Sequence, residues 1–282
     1  MPIISQLTIF PIKSCGGVNV TEAHLAATGL LHQGIHDREW MLVNADGQFL
    51  SQREFPVMAR IHPEIRAGIV HVHTPDMPEL ILSEEQQIPR VQRQVQIWDD
   101  QVHATDCGDA AANWFSHVLD TTCRLMRFDK QEQRYASTKW TEGELVPTLF
   151  SDGYPLLVIS EASLDDLNRR LQTQGLAKVP MNRFRPNIVL ADIEAYEEDY
   201  AASFDVNGGI QLRPVKPCPR CPIPAIDQNT GEIGHNPVDT LQSYRTNPLL
   251  DGGITFGMNT IVVNGHGHML HVGDQVSMEI AF

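Results

Sequence analysis

Lys216-Pro217-Cys218-Pro219-Arg220-Cys221-Pro222 is the segment of this chain with the most reactive chemistry. Two cysteines set two residues apart serve zinc binding, dithiol exchange, or a single thiolate acting as ligand or nucleophile. A structural zinc needs four ligands, usually a second such pair or two spaced histidines. Here Cys15, Cys107 and Cys123 stand singly, and His235 has no companion histidine nearby. A thioredoxin-type pair needs its first cysteine at a helix N-terminus, where the dipole lowers its pKa. Pro222-Ile223-Pro224 follows instead, and no helical periodicity begins. A lone thiolate needs positive charge beside it, which Lys216 and Arg220 supply, and it is a soft metal ligand. That third use fits the local chemistry best, next to the plainer one of two buried cysteines packing as small hydrophobes.

Cations elsewhere tell a compatible story. Lys13 and Ser14 end the first strand, Arg38 sits in HDREW, and Arg185 and Asn187 lie in FRPN at a strand start. Each alone reads as a surface charge or strand-end contact; spacing does not say whether the fold gathers them. The background is acidic, with a formal net charge of −14. That balance argues against nucleic acid and against an anionic membrane surface, both of which want a concentrated basic face. There is no G-x-G-x-x-G, P-loop, G-x-S-x-G or H-E-x-x-H. No cysteine follows Cys221, so a four-cysteine iron–sulfur cluster has no place in the C-terminal part. His266, His268 and His271 read as strand-face or turn residues.

The elements that must position these groups are mostly strands. Residues 4–13 form a short apolar strand ending at Pro11, and Asp46-Gly47 and Asn207-Gly208 mark hairpins. Further strand pairs are expected over 61–84 and 91–104, the latter joined at Asp99-Asp100. Short strands with turns every 8–12 residues suggest a barrel or sandwich. Two helices interrupt them. Ala111, Trp114, Phe115, Val118 and Leu119 make one apolar stripe, capped by Asp106 or Asp109; the second runs from Ser160 to about Gln174, with Gly175 as its stop. Residues 217–253, rich in Pro, Gly, Asn and Asp, form a long functional or disordered loop. Residues 129–150 are expected to be a join or a mobile loop.

The compartment follows from chemistry. Five cysteines without disulfide-like rhythm fit a reducing environment. The N-terminus lacks the pattern of a signal peptide, and no apolar run approaches the roughly 20 residues of a membrane span. A cytoplasmic location without membrane attachment is expected.

Several stretches resemble a known family. KPCPRC, DQNTGEIG and DTLQSYR within 210–245, SDGYPLLVISEASLDDLN at 151–168, MNRFRPNIV at 181–189 and the late HVGDQVSM are similar to the core of the MOSC domain. IFPIKS and GLLHQGIHDREWMLVNADGQFLSQR resemble the β-barrel domain that precedes MOSC in the mitochondrial amidoxime-reducing component and YcbX-like proteins. The resemblance implies a mainly β fold with a few helices: an N-terminal β-barrel-like domain over 1–128 and a MOSC barrel over 129–282. It implies a molybdenum–molybdopterin cofactor with Cys221 as metal ligand and catalytic centre. Lys13, Ser14, Arg38, Ser151, Asp152, Arg185, Asn187, Pro219, Arg220 and Asn259 match the cofactor-binding positions. Lys13, Arg38 and Arg185 suit the pterin phosphate, and Asn187 and Asp152 suit its amide-like ring edges.

The implied function is reduction of small N-hydroxylated compounds. YcbX-like proteins often carry a C-terminal ferredoxin domain, whereas this sequence ends at Phe282. Electrons are therefore expected from a separate ferredoxin-, flavodoxin- or cytochrome-type reductase, with neither an iron–sulfur cluster nor pyridoxal phosphate in this chain. Residues 129–150 and 246–256 match the family poorly. Two other readings stay open: a non-catalytic carrier of the cofactor or of persulfide sulfur on Cys221, and a zinc-stabilised partner-binding module.

Overall fold

Apolar alternation and turn chemistry place the first strand of the chain in a sheet otherwise built largely from its C-terminal half. In the computed structural model, which describes residues 1–82 and 91–281, this is a nine-stranded sheet. Its order is Val18–Val20, Ile3–Ile9, Ile188–Ala191, Leu156–Ser160, Gly253–Asn264, Ile210–Pro219, Ala201–Val206 and Val276–Ile280, with Thr246–Asn247 alongside Gly253–Asn264. Ile4, Leu7 and Ile9 are fully buried and join Leu156, Val158, Ile188 and Leu190 in one core. The fold is mainly β, with three α-helices among the described residues.

A second body of strands stands against this sheet. Gln92–Ile97, Asp100–Asp106, Arg124–Phe128 and Trp40–Val43 form a four-stranded sheet, and helix α1 (Gly108–Leu119) packs Trp114 and Phe115 into the core beneath it. A three-stranded sheet joins His62–Arg66, Ile69–His73 and Leu80–Leu82. Glu22–Ala26 pairs with Met269–His271 from the far end of the chain. Strands from both sides of residue 128 thus share hydrogen-bonded ladders. Among the described residues no helix is long and apolar enough to cross a membrane.

Several local expectations shift. The first strand ends at Ile9, because Phe10 turns away and Pro11 has no N–H to continue the ladder. Lys13 and Ser14 therefore lie beyond the strand, where Lys13 N donates to Trp40 O at 2.8 Å. The α1 N-cap position is Cys107, while Asp106 accepts from Gly108 N at 2.9 Å. Helix α2 (Glu161–Thr173) is capped by Ser160, whose Oγ accepts from Ser163 N at 3.1 Å. The 91–104 hairpin turns at Trp98-Asp99, since Ile97 faces Asp100. At Asn207-Gly208 both residues have positive φ, 50° and 70°, as a tight hairpin turn requires.

The two long irregular segments are both organised. Within 217–253, Asp227 accepts from Asn229 N and Thr230 N at 2.9 and 3.1 Å, and Asn236 caps the short helix α3 (Pro237–Leu241). Residues 129–150 are pinned rather than loose. Arg134, 6% exposed, reaches Asp100 Oδ2 (2.7 Å), Leu149 O (2.9 Å), Ser151 O (2.7 Å) and Asp152 O (3.2 Å). A buried guanidinium with its donors filled by carbonyls fixes the path of that backbone.

Candidate functional site

The chain leaves the strand Ile210–Pro219 beside the neighbouring strand Gly253–Asn264, and Arg220 N donates to Ile254 O at 2.8 Å. The Arg220 guanidinium turns inward, donating to Phe256 O (2.9 Å) and Phe184 O (3.0 Å). Those bonds fold the following residues so that Cys221, half-buried, faces a cavity of about 430 Å³. Cys218 packs partly against the apolar cluster around Leu157, Phe184 and Phe256. Burial pushes the Cys218 thiol up, so it stays protonated.

The N-terminal half supplies the facing wall. Arg38 N donates to Phe10 O at 2.7 Å, tying 10–14 to 37–40. Lys13 is 5% exposed; its Nζ donates to Phe150 O at 3.0 Å and pairs with Asp152. Arg38 pairs with Asp37 and donates to Asn187 Oδ1 at 3.1 Å. Asn187 is itself fixed, accepting from Leu157 N (3.1 Å) and donating to Thr8 O (3.2 Å). The guanidinium groups of Arg38 and Arg185 lie over the Phe10 ring, 4.3 and 4.2 Å from its centre. The structure brings all eleven residues singled out from the sequence to this one cavity: Lys13, Ser14, Arg38, Ser151, Asp152, Arg185, Asn187, Pro219, Arg220, Cys221 and Asn259.

Its charge is lopsided. Lys13, Arg38, Arg53, Arg183, Arg185, Lys216 and Arg220 line it against one carboxylate, Asp152. Arg53, Arg185, Lys216 and Arg220 have no carboxylate partner among the described residues, whereas Lys13, Arg38 and Arg183 pair with Asp152, Asp37 and Asp227. The Asp152 side chain is 78% exposed, and Lys13, then Arg38, hold its carboxyl well below the usual range. Burial pulls Lys13 down, with Asp152 opposing. Arg185, half-buried, is pulled down to about 10 by the burial it has and then by Arg38. Its one hydrogen bond to a side chain, to Gln228 Oε1, is long at 3.4 Å.

Two further features mark the wall. Ser14, Arg38 and Arg185 have φ of 65°, 50° and 57°, a region that side chains larger than Asn seldom adopt. Such strain persists where surrounding structure imposes it, and it clusters at ligand sites. Ser151 Oγ, Tyr154 Oη and Arg183 Nε are buried without a hydrogen-bond partner. Burial raises the Tyr154 phenol to about 12, so it remains a donor.

Phe49, Arg53, Trp98, Tyr154 and Arg183 line the cavity without having been singled out from the sequence. Their only sequence signal is local: an aromatic in a hairpin turn, or a cation in a loop. Elsewhere, His266 and His268 lie at the turn after Gly253–Asn264, and His271 ends a strand. Among the described residues no three His, Cys, Asp or Glu side chains converge as a metal-ligand set.

A β fold holding a cation-lined cavity with a cysteine just past a strand end defines a class, and the comparisons agree with it. Residues 1–122 match the family described as MOSC N-terminal beta barrel domain, and residues 147–277 match the MOSC domain. The chain is 35% identical over 251 residues to mitochondrial amidoxime reducing component 2 of Homo sapiens, covering 86% of this chain and 72% of that protein. It is 31% identical over 251 residues to human mitochondrial amidoxime-reducing component 1, with the same coverage. The molybdenum cofactor sulfurase of Solanum lycopersicum matches at 31% identity over 273 residues, 90% of this chain but 32% of that protein. The chain belongs to the MOSC-domain family that includes the mitochondrial amidoxime reducing components.

Proposed function

We propose that this protein binds a molybdenum–pterin cofactor through Cys221 and reduces N-hydroxylated compounds with electrons from a separate donor protein. The observation that carries the reading is the gathering of four cations without carboxylate partners around Cys221 in a chain of net charge −14. A concave site with unpaired cations and unfilled polar atoms fits an anionic ligand rich in hydrogen-bonding edges. The name of one relative, a molybdenum cofactor sulfurase, favours that cofactor, and the name of another, an amidoxime reducing component, favours an N-hydroxylated substrate.

The residues present fit that group. Arg185, with Lys13 and Arg38 beside it, would neutralise a phosphate. Ser151 Oγ and Tyr154 Oη are free to donate to it or to a ring edge. Asn187, held from both sides, fixes Arg38. Asn259, on the strand beside Lys216, adds an amide to the lining. Cys221 would supply a thiolate ligand to a thiophilic metal, and Arg220 positions it by clamping the backbone. When bound, the cofactor supplies a two-electron redox centre able to take up the oxygen of an N–OH group. The substrate gains two electrons and two protons and releases that oxygen as water. The two electrons come from the donor protein, which we place among ferredoxin-, flavodoxin- or cytochrome-type reductases, in the cytoplasm.

A viologen assay tests the reading. Protein made in a host that synthesises the cofactor, reduced with dithionite-treated methyl viologen, should oxidise the dye when an amidoxime is added. Cys221→Ala should lower that rate by at least about 10²-fold, the scale of removing an essential catalytic group. Equal rates in both proteins would reject the assignment of Cys221.

A further inference from the structure

Trp98 occupies a position its backbone does not favour. It is the first of two residues joining Gln92–Ile97 to Asp100–Asp106, and its φ is 54°. Two-residue hairpin turns want Gly, Asn or Asp there, and a bulky aromatic with positive φ is an outlier. The indole gains little core packing in exchange. It is 39% exposed and belongs to none of the buried clusters.

What it does gain is a place on the cavity wall. Indole Nε1 donates to Asp152 Oδ1 at 3.3 Å, the Phe49 ring lies 4.9 Å away, and the Arg53 guanidinium lies 4.5 Å from the indole. Phe49, Arg53 and Trp98 all line the cavity that Cys221 faces. Lys13, Arg38, Arg185 and the unfilled Ser151 and Tyr154 make a charged, hydrogen-bonding part, suited to an anion. Trp98 and Phe49 add π faces beside it, with Lys13 Nζ 5.9 and 5.3 Å from their ring centres. Strain retained at a residue that adds nothing to the core indicates a ligand-facing role.

We propose that Trp98, braced by Phe49 and Arg53, is a specificity-determining surface that takes a planar aromatic ring, selecting aryl-bearing over small alkyl N-hydroxylated substrates. This rests on the function proposed above and names the substrate class of the same cavity. The indole face offers offset stacking, and the Asp152 bond fixes its tilt.

The test compares benzamidoxime with acetamidoxime, which share the N–OH head and differ in the ring. Binding to cofactor-loaded protein is measured by calorimetry, with molybdenum content and melting temperature recorded for each variant. Trp98→Asn suits the turn backbone while removing the ring. It should weaken benzamidoxime binding about five- to tenfold, the scale of one aromatic stack. Acetamidoxime affinity and molybdenum content should stay within about twofold of wild type. Trp98→Phe, which keeps a ring, should restore most of the aryl preference. Equal losses for both ligands, or unchanged benzamidoxime binding, would overturn the proposal. A fall in molybdenum content in Trp98→Asn would also overturn it, assigning the indole to the cofactor instead. Wild-type protein that carries molybdenum but binds neither amidoxime would reject the reading of function on which the proposal stands.

Discussion

Two buried polar regions of this protein follow opposite rules. Under α2, Glu198 is fully buried and accepts from Ser160 N (3.1 Å), Ser160 Oγ (2.9 Å) and Ser163 Oγ (2.7 Å). Ser163 Oγ in turn accepts from Tyr196 N at 2.7 Å. Around Cys221 the bookkeeping fails: Ser151 Oγ, Tyr154 Oη and Arg183 Nε lack partners, and four cations lack carboxylates. A satisfied network rigidifies the fold, and an unsatisfied one is costly unless something else completes it. The first region holds α2 to the sheet. On the proposed function, a bound ligand would complete the second.

The largest expected effect breaks the satisfied side. Glu198→Ala strands Ser160 N and two hydroxyls, and should cost about 3–4 kcal/mol of unfolding free energy by urea titration. Molybdenum content of the folded fraction should not change. Burial also raises the Glu198 carboxyl above its ordinary value, with the Ser163 and Ser160 bonds opposing. A raised carboxyl pKa adds stability that is fully present below the unfolded value, about 4.3, and lost as pH rises through the folded one. Relative to Glu198→Gln, the wild type should therefore lose stability on going from acid toward neutral pH.

Next comes a residue that serves the second region by fixing backbone rather than by touching a ligand. Arg134→Met removes the clamp on 149–152 and should cost about 2–3 kcal/mol, with reduced cofactor retention because Ser151 and Asp152 move. If retention stays full, the rigidity of that loop does not matter to the site. Opposite in sign is Arg185→Gln. Removing a poorly paired, half-buried cation should stabilise cofactor-free protein by about 1 kcal/mol while lowering molybdenum content, a trade of stability for function. A destabilised apo-protein would contradict the unsatisfied-site account. The smallest effect belongs to Cys218→Ala, within about 1 kcal/mol and with full metal content.

The contrast also marks what was readable from the sequence. Hairpins at Asp46-Gly47 and Asn207-Gly208 and the Ser160 cap were legible because turn and cap chemistry is local. Cys221 stood out for the same reason, through its proline- and cation-flanked pair. Lys13 and Asp152, 139 residues apart, were joined by resemblance to a family, since no spacing rule links them. Arg134 was hidden in a segment expected to be mobile, because its carbonyl partners exist only once the strands are placed. Trp98 was hidden by one residue of register: with the turn set at Asp99-Asp100, the indole reads as the end of a strand. The strain at Ser14, Arg38 and Arg185 has no sequence signature, because non-glycine residues at positive φ are imposed by tertiary contacts. Even Arg220, expected at the cofactor, spends its guanidinium on the carbonyls of Phe184 and Phe256.

The most direct test of the central claim is molybdenum per chain, measured by elemental analysis on protein from a cofactor-competent host, wild type beside Cys221→Ala. The account predicts about one molybdenum per chain in the wild type and almost none in the variant, with both cooperatively folded. Zinc in place of molybdenum, or equal molybdenum in the two proteins, would contradict it.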